Sequence, residues 1–525
     1  MSFVSPEIAW SYLAPVALVL GAGVLGVLVE AFVPARARRV TQIVIALAAT
    51  AGAVVLLALV WSDVHTSGGT IVLGGAMVMD GPAVLLQGIL ALLGFLALLV
   101  VADRSETGED AFAPSGAAVP GSDYEALATR RGLVQTEVFP LVLFALGGMM
   151  VFPAAGDLLT LFVALEVLSL PLYLLSGLAR RRRLLSQEAS LKYFLLGALA
   201  SAFLLFGIAL LYGFSGSLRL SEISDAIGTV VGFDPLLLGG LVLVLVGLLF
   251  KIGAVPFHAW TPDVYQGAPT PITGFMAACT KIASVGVLLR LVYVLVPPVQ
   301  WDILPLLWGV AVLTMLVGTV VAIVQTDVKR MLAYSSIAHA GFLLVGVTAM
   351  TASGISSVIF YLLAYGLATI GAFAIVTLVR EVNEGPGGPV MAEATSLTQW
   401  TGLGRRHPAL ALAFTLFLLS FAGIPLTAGF IGKFEVFTAA VDGGNTWLAV
   451  VGVVASAAAV FFYVRLVVLM FFTDSAGTAG ERTTVVRSEG LTAVAIGVAV
   501  VGTILLGVFP SPVLQLLADA AILIR

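Results

Sequence analysis

The sequence predicts an all-α polytopic membrane protein of about fourteen spanning helices, and three observations lead there. Of 525 residues, 60% are hydrophobic and only 10% charged, with a mean hydropathy of +1.11, against roughly 45–50% and 25% in soluble domains. The apolar residues fall in blocks of about 20, the length that crosses roughly 30 Å of hydrocarbon at 1.5 Å per residue. There is one cysteine, Cys279, and no CxxC, HExxH or βαβ-opening GxGxxG segment. A soluble enzyme, a disordered chain, a coiled coil and a disulfide-stapled secreted domain are excluded. Iron–sulfur clusters and structural zinc need several thiolates at short spacing, so no metal or redox cofactor is expected in this chain and any electrons travel elsewhere. A net charge of −4 with four histidines predicts no nucleic-acid partner.

The apolar blocks lie near 10–33, 40–61, 81–101, 136–154, 157–178, 188–214, 235–258, 270–296, 301–325, 328–349, 354–380, 408–440, 446–473 and 489–510. The first follows a short polar start without a small-residue cleavage site, so it reads as a retained helix and not a signal peptide. Between the second and third, GGTIVLGGAMVMD alternates weakly, as a surface hairpin would. The loop at 102–135 is rich in Gly, Ser, Pro and acids without a helical apolar period, and is expected to be a mobile linker.

Basic residues orient the set. Odd-numbered loops carry Arg36, Arg38, Arg39, Arg104, Arg130, Arg131, the run Arg180 to Arg183, Lys329, Arg330, Arg380, Arg405, Arg406, Arg482 and Arg487, whereas even loops and termini carry little beyond Arg219 and Arg525. The positive-inside rule makes the odd loops cytoplasmic and puts both termini outside.

The chain also repeats itself with a period near 170 residues. KIGAVPFHAW from Lys251 aligns with SFAGIPLTAG from Ser420, DLLTLFVALEVLSL from Asp157 with DVKRMLAYSSIAHA from Asp327, and RLVYVL from Arg290 with RLVVLM from Arg465. Five helices per period is an odd number, so the second copy crosses the membrane in the opposite direction, the inverted-repeat architecture of ion-translocating proteins. The predicted organisation is a three-helix segment and loop over 1–135, a first repeat over 136–296, an inverted repeat over 297–473, and a final loop and span over 474–525.

An ionisable side chain at the bilayer centre costs at least about 2.5–3.5 kcal/mol, so each needs a reason. The candidates for proton translocation are Glu166, Lys251, Lys281, His339 and Lys433, in spans five, seven, eight, ten and twelve. Any one alone reads equally as a buried ion pair or a snorkelling side chain. Five together, with three lysines and few matching acids, do not read as static pairs. Burial disfavours the charged form of a lysine and a neighbouring carboxylate favours it, so a charge moving nearby loads or unloads a proton. Glu166 is the expected modulator of Lys251, Lys281 and His339 continue the relay, and Lys433 is the terminal site toward the outer exit.

Two spans are expected to be interrupted. Pro256 cannot donate to the carbonyl of Ile252, nor Pro425 to that of Phe421, and backbone freed at membrane depth is tolerated only where protein or a wet cavity covers it. Lys192, beside Glu188 at the start of the sixth span, is a candidate for proton intake. His258, where the seventh span is expected to meet the cytoplasm, is a possible relay member and otherwise an ordinary loop histidine. Arg290 and Arg465 do not release protons and are assigned to packing or field shaping. Glu30, Glu137 and Glu435 are either contacts to neighbouring subunits or interfacial, and Cys279 is a small packing residue.

The segments VPFHAWTPDVYQGAPTPITGFMAACTKIASVGVLLR, DVKRMLAYSSIAHAGF and FAGIPLTAGFIGKFEVF resemble the antiporter-like subunits of respiratory complex I, NADH–quinone oxidoreductase, and of Mrp-type cation/proton antiporters, over about 137–473. Within that family the chain is most similar to the subunit N branch: lysine stands at 433 where the subunit M branch usually has glutamate, and the chain ends soon after the fourteenth span without the long lateral helix of the subunit L branch. The resemblance implies pairing of Glu166 with Lys251, with Lys281 and Lys433 as the eighth- and twelfth-span lysines of a hydrophilic axis driven by quinone reduction elsewhere in the complex. It also implies FMN, iron–sulfur clusters and quinone in partner subunits, with subunits M and K as neighbours, among lipids in a bacterial inner membrane. The loop at 102–135 is longer than the family leads one to expect. Ala-, Gly-, Val- and Arg-rich usage fits a GC-rich bacterium. An Mrp-type Na+/H+ exchanger subunit is the alternative. It is disfavoured because sodium prefers oxygen ligands and lysines dominate the interior here. A scaffold whose charges are relics is the third reading.

Overall fold

The computed structural model describes residues 8–524, apart from 107, 116–118, 120–121, 132, 231, 233, 383–389 and 475–478. Fourteen spans are present among the described residues. Twelve helices are long and apolar enough to cross a membrane, and the two shorter apolar helices, Val138–Ala154 and Pro408–Ala422, complete the set. In chain order the spans are Trp10–Phe32, Ala35–Ser67, Gly81–Ala102, Val138–Val151, Leu158–Ser176, Arg183–Ser215, Asp234–Ile252 continued by Trp260–Gly267, Thr270–Leu295, Gln300–Val324, Val328–Val347, Ala352–Leu378, Pro408–Ala422 continued by Ala428–Asp442, Thr446–Phe471 and Leu491–Val508. The third, eighth, tenth and eleventh spans are buried nearly all round and form the centre, while the first, second, sixth and thirteenth expose rows of Leu, Val and Phe at the rim. An exposed apolar rim is what lipid requires of a spanning helix.

All the arginine-rich loops lie on one face and are laced together. Arg39 donates to Ala102 O at 2.7 Å and to Glu489 at 2.8 Å, Arg180 to Asp110 at 2.8 Å, and Arg182 to Glu381 at 3.0 Å and Thr395 at 2.7 Å. A three-stranded antiparallel sheet of Val379–Val382 between Val390–Glu393 and Thr483–Val485 covers part of this basic face. The opposite face holds the hairpin of Thr70–Val72 with Met77–Met79, as the alternation predicted. Both described chain ends lie there too, Tyr12 on Asp63 and Ile524 N–H on Asp80 at 3.1 Å.

The two interruptions are built alike. Gly253 and Gly423 take φ of +80° and +81°, and in each the next residue closes the turn, Ala254 N on Leu249 O at 2.9 Å and Ile424 N on Leu419 O at 3.0 Å. The helices equivalent by the repeat also start alike, Asp157 capping Thr160 N at 2.6 Å and Asp327 capping Arg330 N at 3.0 Å. A left-handed φ disfavours any residue with a Cβ, and a Cβ at 423 would stand 2.9 Å from the Lys433 side chain. Gly423→Ala is therefore expected to cost about 1–2 kcal/mol and to displace Lys433, read as a lower Tm together with slower proton-coupled turnover; an unchanged Tm would refute the strain argument.

Several expectations need correction. The 102–135 loop is not a featureless mobile linker: it contains the helix Asp123–Arg130 and is tied down where Arg180 holds Asp110, with Ala113 N on Leu178 O at 2.9 Å. Asp110 and Glu109 of this loop answer Arg180 and Arg181 of the basic run, a match invisible to local periodicity. The seventh span does not end at 258 but continues as Trp260–Gly267 after the break, so His258 sits inside the break and not at its end. Within the eighth span a π-helical turn, Met276–Thr280, directly precedes Lys281, and a short helix, Ser511–Asp519, follows the last span. Arg525 lies outside the described residues.

Candidate functional site

The fifth, sixth and seventh spans meet around Lys251. Its Nζ donates to Ser169 Oγ at 2.8 Å and Tyr193 OH at 3.1 Å and lies over the rings of Tyr193 and Tyr173 at 5.1 and 5.7 Å. Glu166, one turn before Ser169, is half-buried and accepts from Ser201 Oγ at 2.6 Å. Ser169, one turn on from Glu166, thus holds Lys251, and no ion pair joins the two charges among the described residues.

From Lys251 the axis continues through aromatic rings. Tyr193 stacks on Trp260 at 4.6 Å, Trp260 meets Tyr265 edge-on at 6.3 Å, and Tyr265 OH is 3.5 Å from Ser336 Oγ. Lys281 donates to Ser336 twice, to Oγ at 2.7 Å and to its carbonyl, with the Tyr365 ring 5.2 Å from its Nζ. The preceding π turn is the kind of local widening that often marks functional positions.

One turn beyond Ser336, His339 is fully enclosed. Its Nδ1 is 2.5 Å from Tyr361 OH and its Nε2 3.2 Å from Tyr463 OH, which also bonds Ser335. Phe421 packs on the imidazole at 5.5 Å, and the carbonyl of the same Phe421 accepts from Lys433 Nζ at 2.8 Å. That carbonyl is the one Pro425 leaves without its helical donor. Lys433 also donates to Ala422 O at 3.1 Å and Ser456 Oγ at 2.7 Å. The helix break and the lysine therefore satisfy each other, as unpaired backbone inside a membrane requires.

Lys192 and His258 lie nearer the basic face. Lys192 donates to Asp263 at 2.7 Å and Glu188 at 2.6 Å, while Arg330 donates to the other oxygen of Asp263 at 2.8 Å. Asp263 thereby joins the first repeat to the start of the helix that carries His339. His258 is half-buried in the break, its Nδ1 without a hydrogen-bond partner among the described residues. Pro256 and Pro425 stand at the surface of their breaks.

Sequence reasoning missed Ser169, Tyr193, Ser336, Tyr361, Tyr463, Ser456 and Asp263. Hydroxyls are common in spanning helices, so only their direction could have marked them. The Asp263 of HAWTPD was visible but lay past the expected end of its span. Arg290 and Arg465 match in the repeat yet differ in place: Arg290 forms a buried pair with Asp80, whereas Arg465 is exposed on Ile323 O at 3.1 Å.

A fourteen-span bundle with two matched helix breaks and three buried lysines on a hydroxyl and aromatic axis defines an antiporter-like membrane subunit. Residues 155–459 match the family described as NADH:quinone oxidoreductase/Mrp antiporter, TM. The chain is 67% identical to NADH-quinone oxidoreductase subunit N of Beutenbergia cavernae, covering 99% of each, and 51% identical to that of Mycobacterium tuberculosis, again covering 99% of each. It belongs to the NADH-quinone oxidoreductase subunit N family of respiratory complex I membrane subunits. In solved structures it superposes on a chain of respiratory complex I from Thermus thermophilus with TM-score 0.76 and 33% identity, covering 96% of this chain and 100% of that one. The fold is shared with a chain of the Mrp complex from Dietzia, TM-score 0.73 at 21% identity, covering 97% of each.

Proposed function

We propose that this chain is a proton-translocating subunit of complex I, with no redox site of its own, that couples quinone reduction in partner subunits to proton movement along Glu166, Lys251, Lys281, His339 and Lys433. The observation that carries this is the state of the lysines. All three are buried and make hydrogen bonds to hydroxyls or carbonyls, yet none has an ion-pair partner among the described residues. A static structural role would favour a paired charge, because an unpaired buried ammonium is costly. A proton store gains from the lack of a fixed counter-ion. In this reading the basic face is cytoplasmic, both chain ends are outside, Lys192 with Asp263 collects protons, and His258 is available to the intake path. FMN, iron–sulfur clusters and quinone belong to partner subunits, with subunits M and K adjacent in a bacterial inner membrane.

The test is to tag the chain, extract it in mild detergent and record what accompanies it. Flavin and iron–sulfur absorbance with NADH-dependent quinone reduction are expected, whereas a colourless assembly exchanging Na+ for H+ would overturn the assignment. Normal assembly and full pumping after substitution of Lys251 would favour the scaffold instead. Glu166→Gln is expected to lower pumping only about two- to fivefold, because the amide keeps the bond with Ser201 and loses the charge that tunes Lys251. A rate–pH profile identical to that of the parent protein would refute the modulating role.

A further inference from the structure

The relay leaves unused a cavity on the basic face, between the ends of the third and eleventh spans, the start of the eighth and the segment entering the fourteenth. It is partly enclosed and open to solvent. Val100, Pro271 and Leu378 make an apolar floor, and Arg104, Arg380 and Arg487 line the wall. Adjacent extended backbones bring these arginines together. Ser105 pairs antiparallel with Ser488, Glu489 N donates to Arg104 O at 2.9 Å, Glu106 N to Arg487 O at 3.1 Å, and Val486 N to Leu378 O at 2.9 Å.

The carboxylates of the same cavity are largely committed to backbone or to Arg180 and Arg181, which also line it. Asp103 accepts from the backbone N–H groups of Arg104 at 3.0 Å and Thr492 at 2.8 Å; Asp110 is held by Arg180 at 2.8 Å and Glu109 by Arg181 at 3.2 Å. What remains is positive. Among the described residues Arg104 comes no nearer than 3.8 Å to a carboxylate oxygen, and its Nε is buried without a hydrogen-bond partner. Arg380 stands 3.9 Å from Glu393, which lies equally far, 3.8 Å, from Lys329. Arg487 is exposed and makes no side-chain hydrogen bond or ion pair among the described residues. Burial pulls Arg104 below the usual guanidinium range, with the Arg39 guanidinium adding to it and the Asp110 and Glu489 carboxylates opposing it.

We propose that this cavity binds a phosphate-bearing anion, held by the guanidinium forks of Arg104, Arg380 and Arg487 above the apolar floor. Planar forks match phosphate oxygens two at a time; Arg380 spends its Nε on Thr377 O at 2.9 Å, but the terminal nitrogens of Arg104 and Arg380 have only long carboxylate contacts, and such incompletely used forks around one cavity are difficult to explain as topology anchors. An acidic phospholipid headgroup and a soluble phosphate share this chemistry.

The test uses the whole complex containing this chain, in nanodiscs of phosphatidylcholine alone or with phosphatidylglycerol. Radiolabelled inorganic phosphate is titrated onto the first, and lipid retained by the second is counted by native mass spectrometry. One saturable phosphate site beyond the background of the flavin-bearing subunits, weakened at least tenfold in Arg487→Gln and in Arg104→Gln/Arg487→Gln, is the result expected for a soluble ligand. No added phosphate site, but one phosphatidylglycerol per complex that both variants lose, identifies the lipid source. Arg36→Gln, which removes an exposed arginine elsewhere on the same face, is expected to change neither. Arg487 has no side-chain partner among the described residues to lose, so the single variant remains informative if the double variant does not assemble. Binding and retention that are indifferent to both variants, or absent from the parent complex, overturn the proposal. Neither readout depends on proton pumping, so this outcome is separable from the functional assignment.

Discussion

Replacing Lys281 by alanine is expected to cut proton-coupled turnover about a hundredfold, at the low end of what a positioned proton-transfer group contributes, while the complex still assembles. Lys281 is the buried titratable group between Lys251 and His339: Tyr193, Trp260, Tyr265 and Ser336 lead to it from Lys251, and the Tyr365 ring, 5.2 Å from its Nζ and 4.9 Å from the imidazole, stands between it and His339. Its removal takes one donor from Ser336, whose Oγ still has the Tyr265 hydroxyl at 3.5 Å and whose carbonyl lies within the tenth span's helix, a cost of about 0.5–1.5 kcal/mol. That loss is partly offset because an ammonium no longer has to be buried. Inverted membrane vesicles would report NADH-driven acidification, and native gels the assembly. Lys281→Arg separates charge from transfer: it keeps the positive charge but does not release a proton, so it should fail to restore pumping. Full pumping stoichiometry in either variant would remove Lys281 from the path.

The largest effect on stability is expected at a place where no proton moves. Arg290 sends its fork to both oxygens of Asp80, at 2.8 and 3.0 Å, and its Nε to Pro153 O at 2.9 Å, with both side chains almost wholly excluded from solvent. Asp80 also caps the third span through Ala83 N at 3.0 Å and receives Ile524 N. Arg290→Ala strands a buried carboxylate and should cost about 3–5 kcal/mol, seen as a much lower Tm and poor accumulation of the complex. Asp80→Asn/Arg290→Gln, which removes both charges and keeps hydrogen-bonding groups, should recover a good part of that loss. If the double variant were as unstable as Arg290→Ala, the damage would come from lost packing and not from an unpaired charge.

The same pair illustrates where reading the sequence stops. Arg290 and Arg465 align in the repeat, and nothing local distinguishes them; Asp80, far back in the chain, makes one a buried ion pair and leaves the other on the surface. The axis behaves similarly. Glu166, Lys251, Lys281, His339 and Lys433 were visible because charge is rare in apolar spans, whereas Ser169, Ser336 and Tyr463 were not, because a hydroxyl in a membrane helix usually bonds its own backbone. The breaks were visible from Pro256 and Pro425, yet their common construction around Gly253 and Gly423 and the capture of Phe421 O by Lys433 required the fold.

By itself the sequence determined the class of protein, the number of spans, the inverted repeat and the side of the protein on which the basic loops gather. Hydrocarbon imposes those through the length of apolar runs and the cost of each charge, both of which are local and additive along the chain. Only the tertiary structure decided which partners each buried charge meets, that the 102–135 segment is strapped to the Arg180 to Arg183 run, and that incompletely used arginines converge on one cavity. Those are contacts between residues far apart in the chain, and hydrogen-bond geometry over a few ångströms is set by packing, which leaves no periodic trace in the sequence.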